Sequence, residues 1–177
     1  MQNNHLKKLC YAGVCLTLGL ILPFLTGQMR SFGNALSPMH IPVLLCGFLC
    51  GWPYALVVGL LLPAMRFFLF GMPPLFPIGA AMTCELATYG LLSGILYHRL
   101  PHTTIHIYTS LIAAMFGGRI VWGITMALIA GISDVTFSMQ MFLAGAFINS
   151  IPGILCHILL IPIIVIALQK AKIITYE

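Results

Sequence analysis

A chain of 177 residues that is 60% hydrophobic and only 6% charged cannot carry an ordinary water-facing surface, because soluble domains hold about 25% charged residues and large exposed apolar patches aggregate. The net charge of +5 follows the pattern of membrane orientation and not of a nucleic-acid face. The apolar runs are continuous, unlike the alternation over about 10 residues that marks a barrel strand, so residues 1–177 are expected to form one all-α integral membrane domain without a soluble one.

The first span begins after Lys7 and Lys8, at about Leu9, and runs to Thr26. It has the look of a signal peptide, but no small-residue cleavage site follows and more spans do, so it is expected to be a retained helix. A polar connection with Gln28, Arg30, Ser31, Asn34 and Ser37 leads to a short second span, about Met39 to Trp52. Pro53 suits the opening of a third, about Tyr54 to Phe70. The turn Gly71-Met72-Pro73-Pro74-Leu75-Phe76-Pro77 precedes the fourth, about Pro77 to His98. The fifth covers about Ile105 to Ala130. The sixth, about Met139 to Leu168, exceeds the ~20 residues a crossing needs; it is expected to tilt, to kink at Pro152 or Pro162, or to reach into water.

Six spans put both termini on one side. If that side is cytoplasmic, Lys7, Lys8, Arg99, Lys170 and Lys172 lie inside, and Arg30, with acidic Asp134, lies outside. Arg66, Glu85, Arg119, Asn149 and His40 then all fall in the outer half of the membrane. A charge within the hydrocarbon costs roughly 2.5–3.5 kcal/mol on insertion scales and usually faces a bundle interior or cavity. One carboxylate cannot neutralise both Arg66 and Arg119, and a spare guanidinium suits an anionic ligand. The competing reading is a structural Glu85–Arg119 or Glu85–Arg66 ion pair. Trp122, one turn from Arg119 and followed by Met126, offers a stacking wall, or plain core. Met72, Phe76 and Phe137 can close over a ligand, whereas Trp52 reads as an interface anchor.

The remaining polar residues carry less. His98, His102 and His106 have ligand spacing, but Pro101 interrupts them, and no metal or cofactor is expected. His157 reads as a hydrogen-bonded core histidine. The six cysteines form no CxxC pair and read as buried thiols. No P-loop, HExxH or nucleophile motif is present, so no enzymatic activity is expected. Small residues recur at spacing four, as in Gly47 and Gly51, Gly90 and Gly94, and Gly13 and Thr17, which permits close helix contact.

The segments Ala35 to Gly47, Gly51-Trp52, Gly71 to Pro77 and Glu85 to Gly94 resemble the substrate-binding S component of energy-coupling factor (ECF) vitamin transporters. That resemblance implies a compact six-helix bundle in a bacterial plasma membrane. It implies high-affinity capture of a vitamin or related micronutrient from outside, and the residues read above, Arg66, Glu85, Arg119, Trp122, Asn149, His40, Met72 and Phe76, are the expected site. It also implies partners: a transmembrane coupling subunit and two ATP-binding-cassette ATPases that hydrolyse ATP. Many relatives dock on the coupling subunit through an AxxxA pattern on the first helix. Here Leu16 follows Ala12 at that spacing, so Gly13 with Thr17, or Cys15 with Gly19, must substitute, and the face containing Gly13 and Thr17 is the expected docking face. Nickel and cobalt relatives use an amino-terminal Met-His; Met39-His40 is internal, so that metal site does not transfer. The alternatives are a small membrane enzyme or redox protein using His and Cys, and a ligand-free assembly subunit.

Overall fold

A computed structural model describes residues 2–25, 37–133 and 137–171, all helix, turn or coil. Gln28, Arg30, Ser31, Asn34, Asp134 and Lys172 lie outside them. The helices are α1 (Gln2–Leu25), α2 (His40–Cys50), α3 (Trp52–Phe70), α4 (Ala80–Arg99), α5 (Thr104–Ile132), α6 (Met139–Ala146) and α7 (Ile151–Lys170). Counting α6 and α7 as one broken segment, five stretches are long and apolar enough to cross a membrane, and α2 is a shorter apolar helix. The molecule is an all-α bundle of the multi-span kind.

Local chemistry explains the boundaries. Gly51 (φ 89°) and Gly71 (φ 71°) hold left-handed conformations that favour glycine. Gly51 lets the chain turn from α2 into α3, with Pro53 in the first turn, where its missing N–H is no loss. Gly71 closes α3, its N–H donating to the Phe67 carbonyl at 2.8 Å. Ser138 opens α6 by accepting from the Met141 N–H at 3.2 Å.

The fourth span differs from its expected start. Residues Leu75–Gly79 form one wide turn in which Phe76 is extended (φ −131°, ψ 138°), and regular helix begins at Ala80, not Pro77. The last span differs too. It is broken at Ile148–Ser150, a single 3-10 turn, and Pro152 lies in the first turn of the new helix. Pro162 sits inside α7 without ending it.

The centre of the bundle is α4, packed by α2, α3 and α5. Glycines set its spacing. A Cβ on Gly90 would strike the Ala55 backbone, one on Gly94 the Trp52 backbone, and one on Gly59 the Leu86 carbonyl. Helices α3 and α4 therefore touch backbone to backbone over three turns. Gly118 does the same for α5: a Cβ there would overlap the Tyr89 ring of α4.

Candidate functional site

Gly118 also delivers its neighbour, Arg119, to α4. Arg119 Nη1 lies 3.0 Å from Glu85 Oε1. Tyr89, one turn below Glu85, donates its hydroxyl to the same oxygen at 2.9 Å. His40, the first residue of α2, brings Nε2 to 3.4 Å from it, without the geometry of a hydrogen bond. The Ser37 carbonyl anchors that ring, accepting from the His40 N–H at 3.0 Å and from Nδ1 at 3.1 Å. His157 on α7 completes the group, its ring 6.0 Å from that of His40. Glu85, Tyr89, His40, Arg119 and His157 are all buried.

The depths agree. At 1.5 Å per residue, Glu85 stands about 21 Å along α4 from Arg99, Arg119 about 22 Å along α5 from Thr104, and His157 about 20 Å along α7 from Lys170. Three helices thus present polar side chains at one level of an otherwise apolar bundle.

Arg119 opens this level to a pocket of about 210 Å³ whose other walls are Ile112, Met115, Phe116, Phe147, Ile154 and Ile158. Its Nε–H has no hydrogen-bond partner although the residue is only 9% exposed. A buried donor left unmet costs about 1–3 kcal/mol. The arrangement therefore offers a pre-aimed donor at the edge of an apolar cavity.

The other residues singled out from the sequence lie elsewhere. Arg66 does not approach Glu85. Its Nη1 donates to the Leu20 carbonyl of α1 at 3.1 Å, and its guanidinium lies over Phe24 (5.3 Å) and Phe70 (5.9 Å). It ties the end of α1 to the end of α3 through cation–π contacts. Trp122 is half-buried and stacks on Phe142 of α6 at 6.3 Å, with Phe137 edge-on at 5.9 Å. Asn149 is exposed on the 3-10 turn. Met72 and Phe76 are exposed beside the start of α4. Gly13 and Thr17 are exposed on α1, and nothing lies within 4 Å of a Cβ built on Gly13.

Two members of the cluster are additions to the expected set. Tyr89 follows Glu85 at helical spacing four, a signal present in the sequence. His157 is the buried core histidine expected, set beside the Ser37 backbone and the His40 ring. Among the described residues, no group of three or more His, Cys, Asp or Glu could hold a metal ion.

Residues 7–175 match the family described as ECF transporter, substrate-specific component. The chain belongs to that family. It functions as the S component of an ECF-type vitamin transporter, a substrate-binding subunit and not the ATP-hydrolysing one. No curated protein and no solved structure matches the chain. Membership of the S components implies association with a transmembrane coupling subunit and ATPase subunits in a lipid bilayer.

Proposed function

We infer that this S component binds its vitamin-like substrate at the Glu85–Arg119–His40–Tyr89 level, with an acceptor group of the substrate on Arg119 and its apolar part in the adjoining pocket. The observation that carries this reading is the unmet Arg119 Nε–H at the pocket wall. Glu85 holds Arg119 through Nη1 and leaves the Nε edge free to bind. With Arg66 committed to α1, the cluster sets one carboxylate against one guanidinium and one imidazole. The free Nε–H is a donor, so a substrate carboxylate or carbonyl oxygen fits it and a cationic donor does not. Trp122, Asn149, Met72 and Phe76 do not line the pocket and are assigned to closure over the substrate, not to the polar anchor.

Native mass spectrometry of the purified full-length protein tests the reading. A co-purifying small molecule with a carboxylate or carbonyl is the expected finding; a haem, quinone or metal would overturn it in favour of a redox protein.

The same reading has six crossings with both ends cytoplasmic in a bacterial plasma membrane, and two ATPases beneath the coupling subunit. Lys7, Lys8, Arg99 and Lys170 support it by gathering at one end of the bundle. Cysteines introduced at positions 30 and 99 should label from opposite sides of the membrane; labelling of both from one side would overturn the six-crossing topology. The coupling subunit is expected on the open α1 face of Gly13 and Thr17. A groove of about 540 Å³ between α1 and α3 runs beside it, lined by Ala12, Gly13, Leu16, Tyr54 and Val57 among others.

A further inference from the structure

The walls of the Arg119 pocket come from two helix faces. Ile112, Met115, Phe116 and Arg119 follow one another at i, i+3, i+4 and i+7 along α5, and Ile154 and Ile158 stand one turn apart on α7. Phe147, just ahead of the 3-10 turn, meets Phe116 across the gap with ring centroids 6.4 Å apart. Among the described residues, Arg119 is the one polar side chain of this lining. It stands at one end of the α5 stripe, and Ile112 lies about 10 Å away along the axis. The cavity is thus a slot with a cationic donor at one end and hydrocarbon along the rest.

Each property restricts what the slot can hold. The Arg119 Nε–H is unmet and the residue 9% exposed; it asks for an acceptor, and an ionised one binds most strongly. Isoleucine and phenylalanine offer no hydrogen bond, and the methionine sulfur only a weak acceptor. The peptide groups beneath the α5 stripe are spent within the helix. A hydroxyl or amide on the body of a ligand would therefore lose its water with no return. The volume of about 210 Å³ is below the roughly 300–1,000 Å³ of ordinary ligand pockets, so the body is short. Ile112 and Phe116 are more than half exposed within a span long and apolar enough to cross a membrane. The slot thus opens sideways between α5 and α7, and a fatty acid of the bilayer is a competing source of the same head group.

We propose that the site selects a monocarboxylic acid with a short, unsubstituted apolar body, its carboxylate on the Nε edge of Arg119 and its body along the Ile112–Phe116 stripe against Ile154 and Ile158. This names the substrate class of the site read above and rests on that reading. An acid of the same length with a hydroxyl on its body binds roughly tenfold to a hundredfold less tightly, the range an apolar pocket reaches against an added hydroxyl.

The test titrates the purified full-length protein, in phosphatidylcholine nanodiscs, with octanoate, a mid-chain hydroxyoctanoate, lipoate, pantothenate and oleate. Octanoate and lipoate should bind, the hydroxyoctanoate and pantothenate at least about tenfold more weakly, and oleate no more tightly than octanoate. Ile158→Phe narrows the slot and should weaken octanoate binding at least about tenfold while leaving the unliganded melting temperature unchanged. Pantothenate or the hydroxyoctanoate binding as tightly as octanoate, and lost in Arg119→Ala, would overturn the apolar-acid class and leave the Arg119 site standing. Binding of none of the five would overturn the class as well. Oleate binding more tightly than octanoate would overturn the short body and place the ligand's source in the bilayer. Octanoate binding that Arg119→Ala leaves intact would overturn the site itself, and the class with it. Full octanoate affinity in Ile158→Phe would remove the body from this slot; if that variant does not fold, the ranking of the five acids on the parent still decides the class.

Discussion

Arg119→Ala should abolish high-affinity substrate binding and also lower the melting temperature of the unliganded protein. Two terms act together. The substrate loses its buried, charge-assisted donor, a loss of about 2–5 kcal/mol, or at least roughly thirtyfold in affinity. Glu85 loses its cation at 3.0 Å and is left as a buried carboxylate facing only Tyr89 and His40. Breaking a buried pair by removing one partner costs about 3–5 kcal/mol. The double variant Glu85→Gln, Arg119→Met separates the terms. It removes both charges and leaves Tyr89 an amide oxygen to donate to, so the melting temperature should return towards that of the parent while binding stays lost. Arg66→Ala is the control: it should loosen the end of α1 and leave affinity unchanged. Isothermal titration and melting curves on the four proteins check all of this. An Arg119→Ala variant that binds as tightly as the parent would make the cluster purely structural.

A second large effect separates folding from coupling by means of two glycines. Gly90→Leu should prevent accumulation of folded protein, because even its Cβ would meet the Ala55 backbone, which has no side-chain freedom with which to yield. Overpacking typically costs about 1–3 kcal/mol and more where backbone must move. Gly13→Leu places the same side chain in open space on α1. It should leave the isolated subunit folded and binding normally, yet abolish uptake by the assembled transporter, because a close helix contact with the coupling subunit would be blocked. Detergent-stable yield, binding and whole-cell uptake are the three measurements. Equal loss of binding in both variants would remove Gly13 from the interface.

That Glu85, Arg119 and His40 would meet inside the bundle was legible before the fold was known. Glu85, Arg119 and His40 are rare polar residues in apolar runs, and rarity alone points inward in a membrane. The choice between Arg66 and Arg119 as the partner of Glu85 was not legible. It depends on how α3 and α5 are rotated about their axes, and helices that are apolar almost all round carry little record of that rotation. The rotation is set instead by Gly59, Gly90 and Gly118, whose meaning depends on which backbone they face. The break in the last span was misplaced by a few residues because proline, the visible breaker, sits just inside the helix that follows the break.

That break has a consequence for hydration. Helix α7 alone, Ile151–Lys170, is about 30 Å long, the thickness of the hydrocarbon core. A helix that crosses along its whole length therefore leaves residues Ile148–Ser150 at the boundary opposite Lys170. Irregular backbone is tolerated at membrane depth only against protein or water. Ser150 meets part of the need, its hydroxyl donating to the Gly145 carbonyl at 2.7 Å, while Asn149 faces outward. The neighbouring Phe147 is a wall of the Arg119 pocket. The rim of that pocket thus carries peptide groups outside a continuous α-helical ladder, next to exposed Ile148 and Asn149. If the substrate site is the one proposed, a substrate entering there would exchange part of its water for backbone dipoles at this rim before it reached the guanidinium, and its dehydration would be divided into two smaller steps.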